Sequence, residues 1–357
     1  MIVFSTAPSG RLFAGSRSLL FAASVTLVAF AQSPTPAFVP LGIPTPGPAA
    51  NEGAYVPQPI LSGGIVVPLY APDSPRLNLE KIRQAEKYNL TVGAPGRIQS
   101  IVSIHNPSIE VHTVDVRINT GAVVILVAGG GHSTLNVGTE AGDFVPWLYN
   151  FGVNAVILRN RLRSDGYNTP KDAMVDALQS VRLVRAHAKE WKIDPAKIGI
   201  VGFSAGAELA AWTAVFYGDY DKANAAPADP LAGISSRPDF VGLLYPGPTP
   251  FTRDPAMKIP ANVPPTFIAG AGSGDKGHAV WADQYFAAML KVGAPNLEMH
   301  IYGNGVHADG LKDRDGIPFG TWQDRFVDWF RDLGFLGKLG VETKAARDVA
   351  GFARKSP

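Results

Sequence analysis

Residues 197–210 run Lys-Ile-Gly-Ile-Val-Gly-Phe-Ser-Ala-Gly-Ala-Glu-Leu-Ala. The apolar stretch Ile198–Val201 has the length and composition of a strand buried on both faces. The segment from Ala205 to Phe216, rich in alanine and apolar residues, has those of a helix. Between them stands Gly202-Phe203-Ser204-Ala205-Gly206, a G-x-S-x-G pentapeptide. Such a short pattern means little alone, but between a strand and a helix it fits a nucleophile elbow. The glycines let the chain turn sharply, which lifts Ser204 Oγ clear of the C-terminal edge of the sheet. The competing reading is a Gly-rich turn whose serine only caps the helix.

Outward from this stretch, strands and helices alternate. Ile98–His105 and Glu110–Asn119 have strand character, and Ala122–Ala128 (AVVILVA) is a continuous apolar run. A helix is expected around Asp143–Phe151, a strand at Asn154–Leu158, and an amphipathic helix from Pro170 to Trp191. After the elbow come strands at Phe240–Tyr245, Thr266–Ala271 and Glu298–Tyr302, with helices at Trp281–Val292 and Thr321–Leu333. This alternation predicts an α/β fold: a mostly parallel central sheet with helices on both faces. The two strands before residue 120 are expected to form an antiparallel N-terminal edge. A short helix is expected within Arg76–Asn89.

A serine hydroxyl needs a base to take its proton. Of seven histidines, His307 lies in a small-residue loop just after the strand Glu298–Tyr302, on the edge where Ser204 emerges. The carboxylate that orients it should follow an earlier strand. Asp275, in the loop after Thr266–Ala271, meets that condition, with Asp283 in the following helix as its rival. Gly129-Gly130-Gly131-His132 follows directly on Ala122–Ala128. Consecutive glycines allow backbone N–H groups to converge on one point, as an oxyanion requires. Gly130 and Gly131, with the N–H of Ala205, are the candidate donors. A phosphate-cradling loop is the alternative, but no Lys-Ser/Thr follows it. The GxGxG run at 270–274 lacks the spacing of a dinucleotide fingerprint.

The chain has 357 residues, 46% of them hydrophobic and 17% charged, enough apolar material for a sizeable core. With 32 basic and 30 acidic residues and no long basic block, a nucleic-acid binder is set aside. Cysteine is absent, which excludes disulfides, thiolate zinc sites and a cysteine nucleophile. Arg11 and Arg17 precede the apolar run Leu19–Ala31, which ends in Ala29-Phe30-Ala31. These are the marks of a secretory signal cut after Ala31, too short to span a bilayer comfortably. The expected organisation is a signal peptide over 1–31 and a Pro-rich N-terminal extension over 32–95. A catalytic domain over 96–340 and a C-terminal tail over 341–357 complete it. A secreted or periplasmic location follows, with no stable membrane insertion once the signal is removed. Asn89-Leu90-Thr91 is a possible glycosylation site in a host that uses it.

The stretches AVVILVAGGGH, VRLVRAHAKEWKIDPAKIGIVGFSAGAELAA, PPTFIAGAGSGDKGHA and LEMHIYGNGVHADGL, in this order and spacing, resemble the α/β-hydrolase superfamily. More narrowly, the chain is similar to secreted esterases of the acetyl xylan and feruloyl esterase group, in the hormone-sensitive-lipase-like branch. The resemblance spans about residues 98–337. It implies an α/β-hydrolase fold and a catalytic triad of Ser204, Asp275 and His307. It also implies an oxyanion hole from Gly130, Gly131 and Ala205, and no metal or organic cofactor. Three departures stand out. A single Asp275 follows Ser273-Gly274 where relatives carry an Asp-Asp pair. The oxyanion loop reads AGGGH rather than HGGG, so His132 follows the glycines and is free to face the pocket. Glu208 occupies a position next to the elbow where many members have histidine; a helix-surface charge is the simpler reading, and a part in shaping the acyl pocket or contacting a catalytic group is the alternative. The expected function is a serine carboxylester hydrolase acting on a small-molecule or carbohydrate ester. A peptidase or amidase on the same fold, or a non-catalytic binding protein derived from it, are the alternatives.

Overall fold

Runs of Val, Ile, Leu and Phe too continuous for a half-exposed sheet must be covered on both faces. The computed structural model describes residues 53–307 and 321–336, and in it these runs are the middle of an eight-stranded sheet. The strands of the chain are β1 (Ile65–Pro68), β2 (Lys87–Leu90), β3 (Ile98–Val102), β4 (Ser108–His112), β5 (Val123–Val127), β6 (Asn154–Arg159), β7 (Ile198–Phe203), β8 (Phe240–Leu244), β9 (Thr266–Ala271) and β10 (Glu298–Tyr302). The central sheet has the order β1-β4-β6-β5-β7-β8-β9-β10. From β6 to β10 all neighbours are parallel, whereas β4 and β1 run antiparallel at one edge.

Alternation along each strand sends side chains to two separate cores. Val124, Leu126, Ile157 and Phe203 pack on one side beneath α1 (Phe144–Tyr149) and α6 (Trp322–Asp332). That layer is aromatic: the Phe144 and Phe203 rings lie 4.8 Å apart, and those of Phe240 and Phe330 4.7 Å. Val123, Ile125, Val127 and Ile200 face the other side, under α2 (Met174–Ala186), α3 (Ala205–Ala223) and α5 (Lys276–Lys291). There the contact is made by small residues. Ala207, Ala210, Ala211 and Ala214 of α3 are fully buried, which lets the helix axis approach the sheet closely.

The parallel sheet, its two helical layers and an antiparallel N-terminal edge agree with the sequence expectation; of the two strands expected at that edge, however, only the second is there. The edge is built from β4 and β1, with Ile65 opposite Val111 and Pro68 opposite Ser108. β3 leaves the central sheet and pairs instead with β2 in a two-stranded ribbon. The cause is the break at His105-Asn106-Pro107, where the Pro107 carbonyl accepts the Leu69 N–H at 2.9 Å. Residues 65–68, assigned by composition to an extension, are therefore a strand of the central sheet. The helix expected within Arg76–Asn89 is a single 3-10 turn, Lys81–Arg83, running into β2. Asn78 Oδ1 takes the N–H groups of Glu80 and Lys81, and burial of Glu86 pulls the chain out straight. The strand expected to reach Asn119 ends at His112, because Val114 N–H turns away to Asn154 Oδ1. The signal segment 1–31, the first residues of the extension and the tail 341–357 lie outside the described residues.

A buried charge cluster fastens the N-terminal segment to the sheet. Arg159, fully buried at the end of β6, lies 2.8 Å from Glu110 on β4 and 3.5 Å from Glu86. Glu110 also accepts the backbone N–H groups of Ile60 and Leu61 at 2.6 and 2.9 Å. Burial pushes the Glu86 carboxyl up, and the Arg159 guanidinium pulls it back. Removing one member of such a cluster strands the others in a medium that solvates charge poorly. Arg159→Leu is therefore expected to lose roughly 3–5 kcal/mol of stability in urea titration. A loss below about 1 kcal/mol, the value of an exposed pair, would contradict the assignment.

Candidate active site

Three strand ends and one loop converge on Ser204. At the end of β7 the backbone of Ser204 takes φ +53° and ψ −118°, a conformation unfavourable for any residue with a Cβ. It is held there by hydrogen bonds on both sides. Ser204 N–H donates to Leu244 O at 2.9 Å, and its carbonyl accepts from Ala207 and Gly247 at 3.0 and 3.2 Å. Glycine is required on either side of the serine. A Cβ at Gly202 would stand 2.2 Å from Gly206 O, and one at Gly206 2.0 Å from Val127 O.

The acid and base loops extend the pairing of β9 with β10. Gly272 N–H donates to Tyr302 O at 2.7 Å and Ser273 N–H to Gly303 O at 3.2 Å. Gly274 then passes so close to Gly305 O that a Cβ would come within 1.8 Å of it. This contact sets Asp275, at the N-cap of α5, beside His307. Ser204 Oγ lies 2.9 Å from His307 Nε2, and His307 Nδ1 lies 2.7 Å from Asp275 Oδ2. Because a carboxylate only accepts, Nδ1 carries the proton and Nε2 is the free acceptor for the Ser204 hydroxyl. Asp283 sits exposed within α5, and the structure brings Asp275 to His307 in its place. Asp275 is itself nearly buried, while a third of the His307 side chain is open to solvent.

A second imidazole shares the same carboxylate. His278 Nδ1 lies 2.5 Å from Asp275 Oδ1, and its ring stacks on His307 with centroids 3.9 Å apart. Burial, and next the neighbouring His307, hold His278 below the usual histidine range, against the pull of Asp275. Tyr245 closes the other side of the base, its ring edge-on to His307 at 5.1 Å. The sequence does not single out His278, and in it Tyr245 reads as an aromatic of the core or of a pocket lining. His278 is one turn beyond Asp275, a spacing that speaks only when the helix starts at Lys276; the sequence had placed that start at Trp281. Asp275, His278 and His307 also have the donor set for a metal ion, their ligand atoms lying within 4.8 Å of one another. Each Nδ1, however, is within hydrogen-bond reach of its own Asp275 oxygen, and stacked rings do not radiate toward a common ion.

The glycine loop after β5 arches over the elbow. Gly130 and Gly131 take φ +123° and +63°, which glycine reaches without strain. Gly129 N–H donates to Glu140 Oε2 at 2.7 Å. The amides of Gly130, Gly131 and Ala205 have no acceptor among the described residues. The loop is braced from behind by β3, where Ile101 and Leu135 exchange two backbone hydrogen bonds of 3.0 Å. His132 turns inward: it is buried, with Nε2 3.3 Å from Glu208 Oε2. Glu208 is not the surface charge its helical position suggested. It is 7% exposed and lies 2.9 Å from Arg253 Nη2, at the margin of the site.

The BD-FAE family matches residues 110–228, about a third of the chain, including the glycine loop and the elbow. An acetylxylan esterase of Xylanibacter ruminicola is 26% identical over 279 residues, 70% of this chain and 50% of that protein. The endo-1,4-beta-xylanase B of Butyrivibrio fibrisolvens is 31% identical over 178 residues, 49% of this chain and 25% of that protein. The chain thus spans half or less of the length of the curated relatives it matches. Among solved structures, the acetyl ester-xyloside bifunctional hydrolase of Caldicellulosiruptor lactoaceticus superposes with a TM-score of 0.61 at 24% identity, covering 77% of this chain and 98% of that one. By its sheet, its elbow and these relatives, the chain has the α/β-hydrolase fold and resembles the acetylxylan esterases.

Proposed function

We propose that this protein is a serine carboxylester hydrolase that removes acetyl, feruloyl or other small acyl groups from carbohydrate, through an acyl-enzyme. The observation that carries the proposal is the unbroken hydrogen-bonded chain from Ser204 Oγ through His307 to Asp275. His307 Nε2 takes the hydroxyl proton as Ser204 Oγ attacks the ester carbonyl. Asp275 holds the ring in the reactive tautomer and stabilises the imidazolium that forms. The amides of Gly130, Gly131 and Ala205 receive the oxyanion, and they need no reorganisation to do so. The tetrahedral intermediate collapses, His307 returns its proton to the leaving alcohol, and the acyl group remains on Ser204. Water then attacks, again deprotonated by His307, and releases the acid.

The similarity to an acetylxylan esterase and to an acetyl ester-xyloside hydrolase supports a carbohydrate ester as substrate. The segment Met1–Ala31, with Arg11 and Arg17 ahead of its apolar run, supports export to the periplasm or beyond, where such substrates occur. Hydrolysis of 4-nitrophenyl acetate, acetylated xylo-oligosaccharides, a feruloyl ester and an aminoacyl-anilide tests the reading. Ester turnover with little anilide turnover is expected. Ser204→Ala and His307→Ala are expected to cost about 10⁴-fold or more in kcat, and Asp275→Asn about 10⁴-fold. A folded wild type inactive on every ester would overturn the proposal, and anilide rates rivalling those of esters would move it to an amidase.

His278 gives a separate prediction. Its hydrogen bond to Asp275 Oδ1 leaves Oδ2 to His307, so losing it frees the carboxylate to rotate. His278→Phe keeps a ring against His307 but no donor, and is expected to lower kcat about tenfold, the equivalent of one charge-assisted hydrogen bond. Unchanged kinetics in a folded variant would show that the loop alone fixes Asp275.

A further inference from the structure

Glu140 lies beneath the site and has no part in the acyl transfer derived above. It stands on a single π-turn, Gly138–Gly142, and is fully buried. Its two oxygens meet two neutral donors: Oε2 accepts Gly129 N–H at 2.7 Å, and Oε1 accepts the Tyr245 hydroxyl at 3.0 Å. No lysine, arginine or histidine among the described residues stands within ion-pair distance of it. Burial pushes this carboxyl up, while the two hydrogen bonds and, more weakly, His307 pull it back. A buried acid with only neutral partners costs stability that an apolar side chain of similar size would not.

What the two donors belong to gives Glu140 its place. Gly129 opens the glycine loop, and the next two amides in the chain are the oxyanion donors Gly130 and Gly131. A Cβ on Gly129 would lie 2.6 Å from Phe203 O, 2.8 Å from Ser204 Cβ and 3.0 Å from Glu140 Oε2, so this residue is wedged between the acid and the nucleophile. Tyr245 follows β8, is fully buried, and presents its ring to the imidazole of His307. One carboxylate thus joins the backbone that receives the oxyanion to the ring against which the base rests.

We propose that Glu140 is a positioning residue that locks the oxyanion loop and the general base into one register around Ser204. The proposal rests on the acyl-transfer reading. Glutamine can keep both ties, its amide donating to the phenol oxygen in reverse, so the test is Glu140→Met, which keeps volume and offers neither tie.

The experiment measures wild type, Ser204→Ala, Glu140→Met, Tyr245→Phe and the Glu140→Met/Tyr245→Phe double variant. Each is assayed for 4-nitrophenyl acetate hydrolysis, for the rate of covalent labelling by a fluorophosphonate, and for Tm. Glu140→Met is expected to lower kcat about 10- to 100-fold with KM within about threefold, as a misplaced catalytic constellation does. The labelling rate should fall in parallel, and the double variant should lose less than the product of the single losses. Glu140→Met that melts within roughly 5 °C of wild type and keeps kcat and labelling within twofold overturns the proposal. Should Glu140→Met melt earlier than that, Tyr245→Phe decides, and its kcat and labelling within twofold of wild type overturn it equally. A wild type that labels at Ser204 but hydrolyses no ester removes the ester reading and leaves the labelling ratios to judge Glu140. A wild type that neither labels nor hydrolyses overturns both.

Discussion

The contact on which the rest of the molecule depends is the approach of α3 to the sheet at Ser204. A strand leading straight into a helix must reverse within two residues, and the helix must then lie down on the strand it has just left. With a Cβ at Gly206 placed 2.0 Å from Val127 O, and one at Gly202 placed 2.2 Å from Gly206 O, no larger residue is admitted at either position. The cost of this geometry is concentrated in one non-glycine residue at positive φ. That residue is Ser204, whose side chain is thereby thrust out of the turn instead of along it. The alanine face of α3 is part of the same constraint, since a bulkier face would lift the helix and release the turn. Nucleophile exposure, helix packing and sheet order are consequences of one close approach.

The remaining site members are placed by sheet extension and do not depend on that strain. β9 and β10 continue their hydrogen bonding past their formal ends, through Gly272 with Tyr302 and Ser273 with Gly303. Asp275 and His307, 32 residues apart in the chain, are carried together by this zipper. The glycine loop is braced in the same manner from the opposite side, where Leu135 pairs with Ile101 of the small ribbon. That ribbon, and the β1 edge anchored through Arg159, give the N-terminal segment a part in the site's support.

Much of this was legible in the sequence where a local pattern and a long-range requirement coincide. The apolar runs at 122–128 and 198–201, the small-residue loops after them, and the order serine, acid, base all describe residues whose neighbours in the chain also set their geometry. The antiparallel character of the edge was legible but its outer strand was not, because pairing of Ile65–Pro68 with Ser108–His112 is fastened by a buried charge cluster assembled from four distant segments. Glu86 looks like a helix-surface residue in the string Leu77–Asn89 until Arg159 is known to lie opposite it. Glu208 misled for the same reason: helical spacing says nothing about an arginine 45 positions away. His278 was hidden by a boundary error of one helical turn, the scale on which helix starts are least certain from sequence.

Three buried carboxylates surround Ser204, and each is compensated in a different manner. Asp275 has two imidazoles, Glu208 an arginine, and Glu140 only an amide and a phenol. The differences fit the distances over which their charges act. On the proposed acyl transfer Asp275 faces a ring that gains a proton, and both its partners are imidazoles. Glu208, at the margin, is balanced by Arg253, which keeps a fixed negative charge from opposing the developing oxyanion. Glu140 lies under the loop itself, its partners an amide of that loop and the phenol beside the base. Neutral donors hold it without adding a charge, and their fixed directions carry geometry from the loop to the base. On the proposed acyl transfer, a transient negative charge forms among three buried acids, and partners already fixed in place let the backbone amides meet it without reorganising.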